Sequence, residues 1–349
     1  MAKVAGIIVA ILIILIGWIS IKNGTIKNIN SVIPNIQTQL SDYVIPSEPL
    51  SIKFMRAQNY PGSDIKIEET LAPGSNYSRH IVSYYSDGLK EFALMTIPQS
   101  PKPQNGFPVI IFNHGYIIPE KYTPDGNYIS YVDALSKAGY IVFKPDYRGN
   151  GKSEGIPGSS YFSPNYAIDV LNAIGSVKKF VAADPGRVGI WGHSMGANIV
   201  IRVSEISPEI KATVIWGGVV GSYSDILYNW QNRVTYKPNA EDLYLRNLGS
   251  QDLLSKNGTP SQNSAFWNSI DPTTNLNFIK APIQIHVGLA DPQVPPDFSK
   301  NLFNKLSDQK KLVEYFEYSG ANHDINQSFG LAMQRTIEFF DRYLKQPEF

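Results

Sequence analysis

Apolar and polar positions divide this chain into stretches with different periods. Val4–Ile21 is an almost unbroken apolar run and carries no charge, with Lys3 before it and Lys22 and Lys27 after it. That length is near the ~20 residues a helix needs to cross a bilayer, and Trp18 suits an interface. A cleaved signal peptide would have an apolar core of ~7–15 residues followed by a small-residue cleavage site, and none follows here. The pattern predicts a transmembrane signal anchor over residues 1–22. The tail before it is too short to hold a domain, so the expected arrangement is single-pass, membrane-anchored, with the main domain extracytoplasmic. Residues 23–50 are rich in Asn, Ser and Thr with Pro34, Pro46 and Pro49. They read as a linker or stalk with room for a short helix at Ile29–Leu40. From residue 51 the period is near two. Ser51–Met55, Asp64–Leu71, Ser78–Tyr85 and Glu91–Ile97 read as strands, and Asp87-Gly88 as a hairpin turn.

From Phe107 the grammar is strand, loop, helix. Pro108–Asn113 is apolar throughout, as in a strand covered on both faces. Tyr128–Lys137 reads as a helix, Tyr140–Pro145 as a strand and Asn165–Val181 as a helix with one apolar side. Val188–Trp191 is a strand running into a helix that starts near Ala197. Ala212–Trp216, Ile283–Val287 and Leu312–Tyr318 are further strands, and Ser328–Leu344 is a closing helix. Alternation of this kind predicts an α/β fold with a mostly parallel, doubly wound sheet and antiparallel N-terminal strands, occupying residues 51–349. One insert, 222–277, breaks the rhythm. It is rich in Tyr, Asn, Leu and Trp, and a connection that long is expected to be a lid or cap.

Composition narrows the chemistry. The 31 basic and 30 acidic residues nearly cancel, so no field favours nucleic acid. Cysteine is absent, which excludes thiol nucleophiles, disulfides and thiolate metal sites. The 20 tyrosines are most simply strand and core residues.

Serine is the remaining nucleophile with a context. Gly192-His193-Ser194-Met195-Gly196 lies between a strand and a helix, the setting of a nucleophile elbow. A serine hydroxyl is a weak nucleophile without a base, and a base works best when a carboxylate fixes its tautomer. Asp291 follows the strand Ile283–Val287, and His323 follows Leu312–Tyr318. Both are at strand C-terminal ends, where a doubly wound sheet gathers its site. Of the other histidines, His80 and His286 lie within strands, His193 is inside the elbow, and His114 is in the loop after Pro108–Asn113. Asp297 is the second-best carboxylate, and Asp324 points elsewhere from the turn of His323. A tetrahedral oxyanion needs N–H donors. Met195, next after the serine, offers one, and Tyr116 in Asn113-His114-Gly115-Tyr116 offers another. The Tyr116 hydroxyl is a further candidate donor. The glycine-rich stretch 146–155 lacks P-loop spacing and reads as a scaffold, with Arg148 in a structural ion pair.

Together NHGY, DYRGNGKSEG, GHSMG, GLADPQVP and GANHD, in this order, resemble the α/β-hydrolase superfamily. The closest branch is the prolyl-oligopeptidase-like and dienelactone-hydrolase-like serine hydrolases, and the match spans roughly residues 107–344. The resemblance implies Ser194 as nucleophile, Asp291 as orienter, His323 as base, and Met195 and Tyr116 as the oxyanion hole. It implies no cofactor and no metal. The implied partner is a small-molecule ester or short peptide substrate, cleaved through an acyl-enzyme, with a carboxylesterase ahead of a prolyl-oligopeptidase-type peptidase. A non-catalytic binding module on the same fold is the remaining alternative. The residues from Ser51 to Phe107 are too few for the β-propeller that full prolyl oligopeptidases carry.

Overall fold

A computed structural model of the protein describes residues 48–230 and 240–345, with backbone alone for 240–248. The apolar run 1–22 and nearly all of the stalk 23–50 lie outside the described residues. The described residues from Pro49 onward form one unit. Among the described residues no helix is long and apolar enough to cross a membrane.

Nine strands form one sheet: β1 (Lys66–Leu71), β2 (Tyr77–Ser86), β3 (Leu89–Pro98), β4 (Phe107–Asn113), β5 (Ile141–Pro145), β6 (Ala183–His193), β7 (Ala212–Trp216), β8 (Ile283–Gly288) and β9 (Val313–Tyr318). Their spatial order is β1-β2-β3-β5-β4-β6-β7-β8-β9. β1 to β3 pair antiparallel, and β3 meets β5 antiparallel. All later pairings are parallel. The β2–β3 turn has Asp87 at φ 51° and Gly88 at φ 82°, the paired left-handed residues that match strand twist in a two-residue hairpin.

Every residue of β4, β5, β7 and β8 is buried, so these strands are covered on both faces. Helices supply the cover. On one face Val170 and Leu171 of α3 (Asn165–Val177) and Ile199 of α4 (Met195–Ile206) join Phe298, Leu302 and Leu306 of α7 (Pro296–Asp308) in the larger core. On the other face are Val132 and Leu135 of α2 (Ile129–Lys137), with Phe339 and Phe340 of α8 (Phe329–Leu344). This is the α/β-hydrolase arrangement, with the carboxyl ends of the parallel strands on one edge.

Two elements depart from the sequence pattern. Ser51–Met55 is not a strand: α1 (Ile52–Arg56) is a short helix capped by the Ser51 hydroxyl, which accepts from the Phe54 N–H at 3.1 Å. Helix α7 was not anticipated, although Pro296 at its start and the four-residue spacing of Phe298, Leu302 and Leu306 carry its signal. The described part of the insert 222–277 is helical: a π-helical turn at Asp225–Asn229, then α5 (Ala240–Asn257) and α6 (Ser264–Ile270). Arg148 forms the expected ion pair. Its Nε donates to Asp169 Oδ1 at 2.9 Å and its Nη2 at 2.5 Å, with the Asp169 carboxylate fully buried.

Candidate active site

Ser194 occupies the step from β6 to α4 with φ 56° and ψ −119°, a backbone region that costs a side-chain-bearing residue about 1–3 kcal/mol. Its N–H donates to the Trp216 carbonyl at 3.0 Å, and its carbonyl accepts from Val219 at 3.1 Å. The flanking glycines are required by contact. A Cβ on Gly192 would lie 2.6 Å from the Gly196 carbonyl oxygen, and one on Gly196 would lie 2.1 Å from the Asn113 carbonyl oxygen. The absent side chain at Gly196 therefore lets the β4 loop settle against the start of α4. That loop carries Tyr116, which packs half-buried on the larger core. Met195 is the first residue of α4, where a helix leaves its N–H without an intrahelical acceptor.

Asp291 and His323 come together. His323 Nδ1 and Asp291 Oδ2 are 2.7 Å apart, both side chains buried. The other carboxylate oxygen accepts from the N–H groups of Gln293 at 2.7 Å and Val294 at 2.9 Å. The two loops are stitched by Leu289 and Ala290, which donate to Tyr318 and Ala321 at 3.0 Å each. A Cβ on Gly288 would sit 2.2 Å from the Asn322 carbonyl oxygen, so this glycine admits the His323 loop. Ring positions place the histidine over the elbow: His323 and His193 have centroids 4.5 Å apart. Asp297 lies in the first turn of α7, away from this pairing. The insert touches the Asp291 loop through Trp230, whose Nε1–H donates to the Gln293 carbonyl at 2.8 Å. Its Tyr223 hydroxyl donates to the Tyr161 carbonyl.

Four residues gain a place that sequence reasoning did not give them. His114 Nδ1–H donates to the Gly115 carbonyl at 2.7 Å, and its ring lies between Tyr122 and Tyr147, with centroids 4.6 and 4.4 Å away. The Tyr147 hydroxyl donates to the His114 carbonyl at 3.2 Å. The Tyr128 hydroxyl accepts from the Gly115 N–H at 2.9 Å and lies 2.7 Å from His193 Nδ1. His114 and His193 stood in the NHGY and GHSMG motifs without a role. Tyr128 and Tyr147 left no signal, because each has a left-handed backbone (φ 61° and 63°) that no local pattern announces.

Residues 108–260 match the family described as serine aminopeptidase, S33. The uncharacterized peptidase YtmA of Bacillus subtilis is 25% identical over 253 residues, covering 72% of this chain and 88% of that protein. The esterase Pf2001 of Pyrococcus furiosus superposes with a TM-score of 0.56 at 21% identity, over 77% of this chain and 93% of its own. The acylaminoacyl peptidase of Pyrococcus horikoshii gives 0.62 at 21% identity, over 79% of this chain but 43% of its own. At such identities the solved structures establish the fold. The family match lies within that fold, over the strands and helices from β4 to the insert.

Burial holds two imidazoles of this site uncharged. His114 is pushed down to about 3, by desolvation first and then by Lys144. His193 is pushed well below the usual histidine range, by desolvation and then by His323. In the unfolded chain both regain an ordinary affinity near 6.5, so below that pH the unfolded state binds more protons. Their contribution to stability is complete above pH 6.5 and is lost as pH falls toward 3. Between pH 6.5 and 4.5 the wild type should lose about 2 kcal/mol more unfolding free energy than His114→Asn, measured by urea titration. Parallel pH dependences for the two proteins would contradict this account.

Proposed function

We propose that this protein is a carboxylesterase-like serine hydrolase working through an acyl-enzyme on Ser194. The observation that carries the reading is the 2.7 Å His323–Asp291 contact, both side chains buried, beside a serine on a strained elbow. Asp291 keeps Nδ1 of His323 protonated, which leaves Nε2 free to take the Ser194 proton as Oγ attacks the carbonyl carbon. The tetrahedral oxyanion is received by the N–H groups of Met195 and Tyr116. As the intermediate collapses, the imidazolium of His323 returns its proton to the departing alcohol or amine. Water, deprotonated by His323, then attacks the acyl carbon and releases the acid and Ser194.

An alcohol leaves more readily than an amine, which favours esters over amides at this site. The second reading, a prolyl-oligopeptidase-type peptidase, draws on the serine aminopeptidase match and on the relative named a peptidase. Short acyl esters should be turned over faster than aminoacyl and prolyl amides, and Ser194→Ala should lower ester turnover by about a million-fold. Faster amide than ester cleavage would select the peptidase. Activity in Ser194→Ala near that of wild type would remove Ser194 from the chemistry.

We further propose that residues 1–22 anchor the catalytic domain outside the cytoplasm, on the strength of the charge-free run Val4–Ile21. The full chain should stay with membranes through an alkaline carbonate wash. Release by that wash, or a mature N-terminus near Lys22, would contradict an anchor.

A further inference from the structure

Hydrogen positions around His193 follow from its partners. Nε2 is 3.2 Å from the main-chain carbonyl of His323, and a carbonyl only accepts, so Nε2 carries a proton. The ring is buried and neutral, so Nδ1 is an acceptor. The Tyr128 hydroxyl, 2.7 Å away, therefore donates to Nδ1 and takes the Gly115 N–H with its own oxygen. The result is one directed chain of hydrogen bonds: Gly115 N–H to Tyr128, Tyr128 to His193, His193 to the backbone of His323.

Each link sits next to a residue of the chemistry. Gly115 precedes Tyr116, His193 precedes Ser194, and the chain ends on the residue that carries the base. Gly115 is also held from its other side, since its carbonyl accepts from His114 Nδ1. That carbonyl belongs to the peptide plane whose N–H is that of Tyr116. In a trans peptide the two point in opposite directions, so the grip on one aims the other. No side chain can fill this space: a Cβ on Gly115 would lie 2.7 Å from the Tyr128 hydroxyl and 3.1 Å from Ser194 Cβ.

Backbone strain marks the same place. Six non-glycine residues among those described have positive φ, and Tyr128, Tyr147, Ser194 and Ile325 of this set surround the site. Tyr128 takes this conformation at the mouth of α2 without a cap bond from its side chain, so helix capping does not account for it. Strain of this kind persists where the surroundings over-determine it.

We propose that Tyr128 and His193 are positioning residues, a relay that locks the oxyanion loop, the elbow and the base loop in one mutual geometry. This rests on the roles proposed above for Ser194, His323 and Tyr116. The relay touches no substrate. It acts by keeping the Tyr116 N–H and the His323 ring at the fixed places that the tetrahedral intermediate needs.

Tyr128→Phe removes the central hydroxyl with little change in shape. The two histidine variants cut one half each. His193→Gln keeps a donor for the His323 carbonyl, and His193→Asn keeps an acceptor for Tyr128. In each folded variant kcat for a short acyl ester should fall about ten- to a hundred-fold with KM little changed. That is below the ~10²–10³ carried by an oxyanion donor itself. Affinity for a trifluoromethyl ketone, which becomes a tetrahedral adduct on Ser194, should fall in step with kcat. Tyr128→Phe combined with His193→Gln should cost less than the product of the single losses, because both break the same link. Tyr140→Phe loses a hydroxyl bond to Asp341 away from the site and should keep its kcat.

A kcat within about two-fold of wild type in folded Tyr128→Phe and both His193 variants would overturn the relay, as would strictly multiplicative losses in the double variant. If Tyr128→Phe does not fold, the His193 pair decides by the same kcat criterion. Should Ser194→Ala be inactive while these variants stay near wild type, only the relay fails. Should Ser194→Ala remain active, the proposed roles fail with it.

Discussion

The backbone of Ser194 turns at φ 56° and ψ −119°, and the surrounding structure is arranged to hold it there. A serine left to itself would relax out of this region by about 1–3 kcal/mol. It is kept by β7 through the Trp216 carbonyl, by the following loop through the Val219 N–H, and by glycines on both sides. Those glycines do more than permit a turn. Gly192 allows α4 to begin against β6, and Gly196 allows the β4 loop to lie where a methyl group would be 2.1 Å from its backbone. The N–H groups proposed to receive the oxyanion and the proposed nucleophile therefore share one contact surface, and a shift of the elbow would carry the proposed hole with it.

Neutral buried groups are the second half of this design. His193 lies against His323 with centroids 4.5 Å apart. In the proposed mechanism His323 becomes an imidazolium, and a second cation about 4 Å away would oppose it by about 4 kcal/mol at an effective dielectric of 20. Burial keeps His193 uncharged, so it contributes a donor and an acceptor without that repulsion. His114 does the same for the loop before Tyr116.

Much of this was legible in the sequence, and the limits have physical causes. The parallel strands announced themselves because full burial on both faces favours continuous apolar runs, as in Val109–Phe112 and Ile141–Phe143. Ser194, Asp291 and His323 were singled out because strand ends are where a doubly wound sheet must gather a site, and the structure pairs the last two. Ser51–Met55 was misread because five residues with apolar Ile52 and Phe54 satisfy a strand pattern, while the capping hydroxyl of Ser51 decides for a helix. The Tyr128 and Tyr147 contacts were invisible because they depend on left-handed backbone and on partners far away in the chain. A relay of two side chains, one before α2 and one at the end of β6, joined to backbone groups of two loops, has no period and no spacing.

The insert meets this centre through the bond from Trp230 to the Gln293 carbonyl, two residues after Asp291. What the account requires above all is a single nucleophile at the tip of that elbow. Digestion and mass mapping after treatment of the native protein with a fluorophosphonate tests it most directly. The account predicts one stoichiometric adduct, on Ser194. An adduct on another serine, or none on the folded protein, would contradict it.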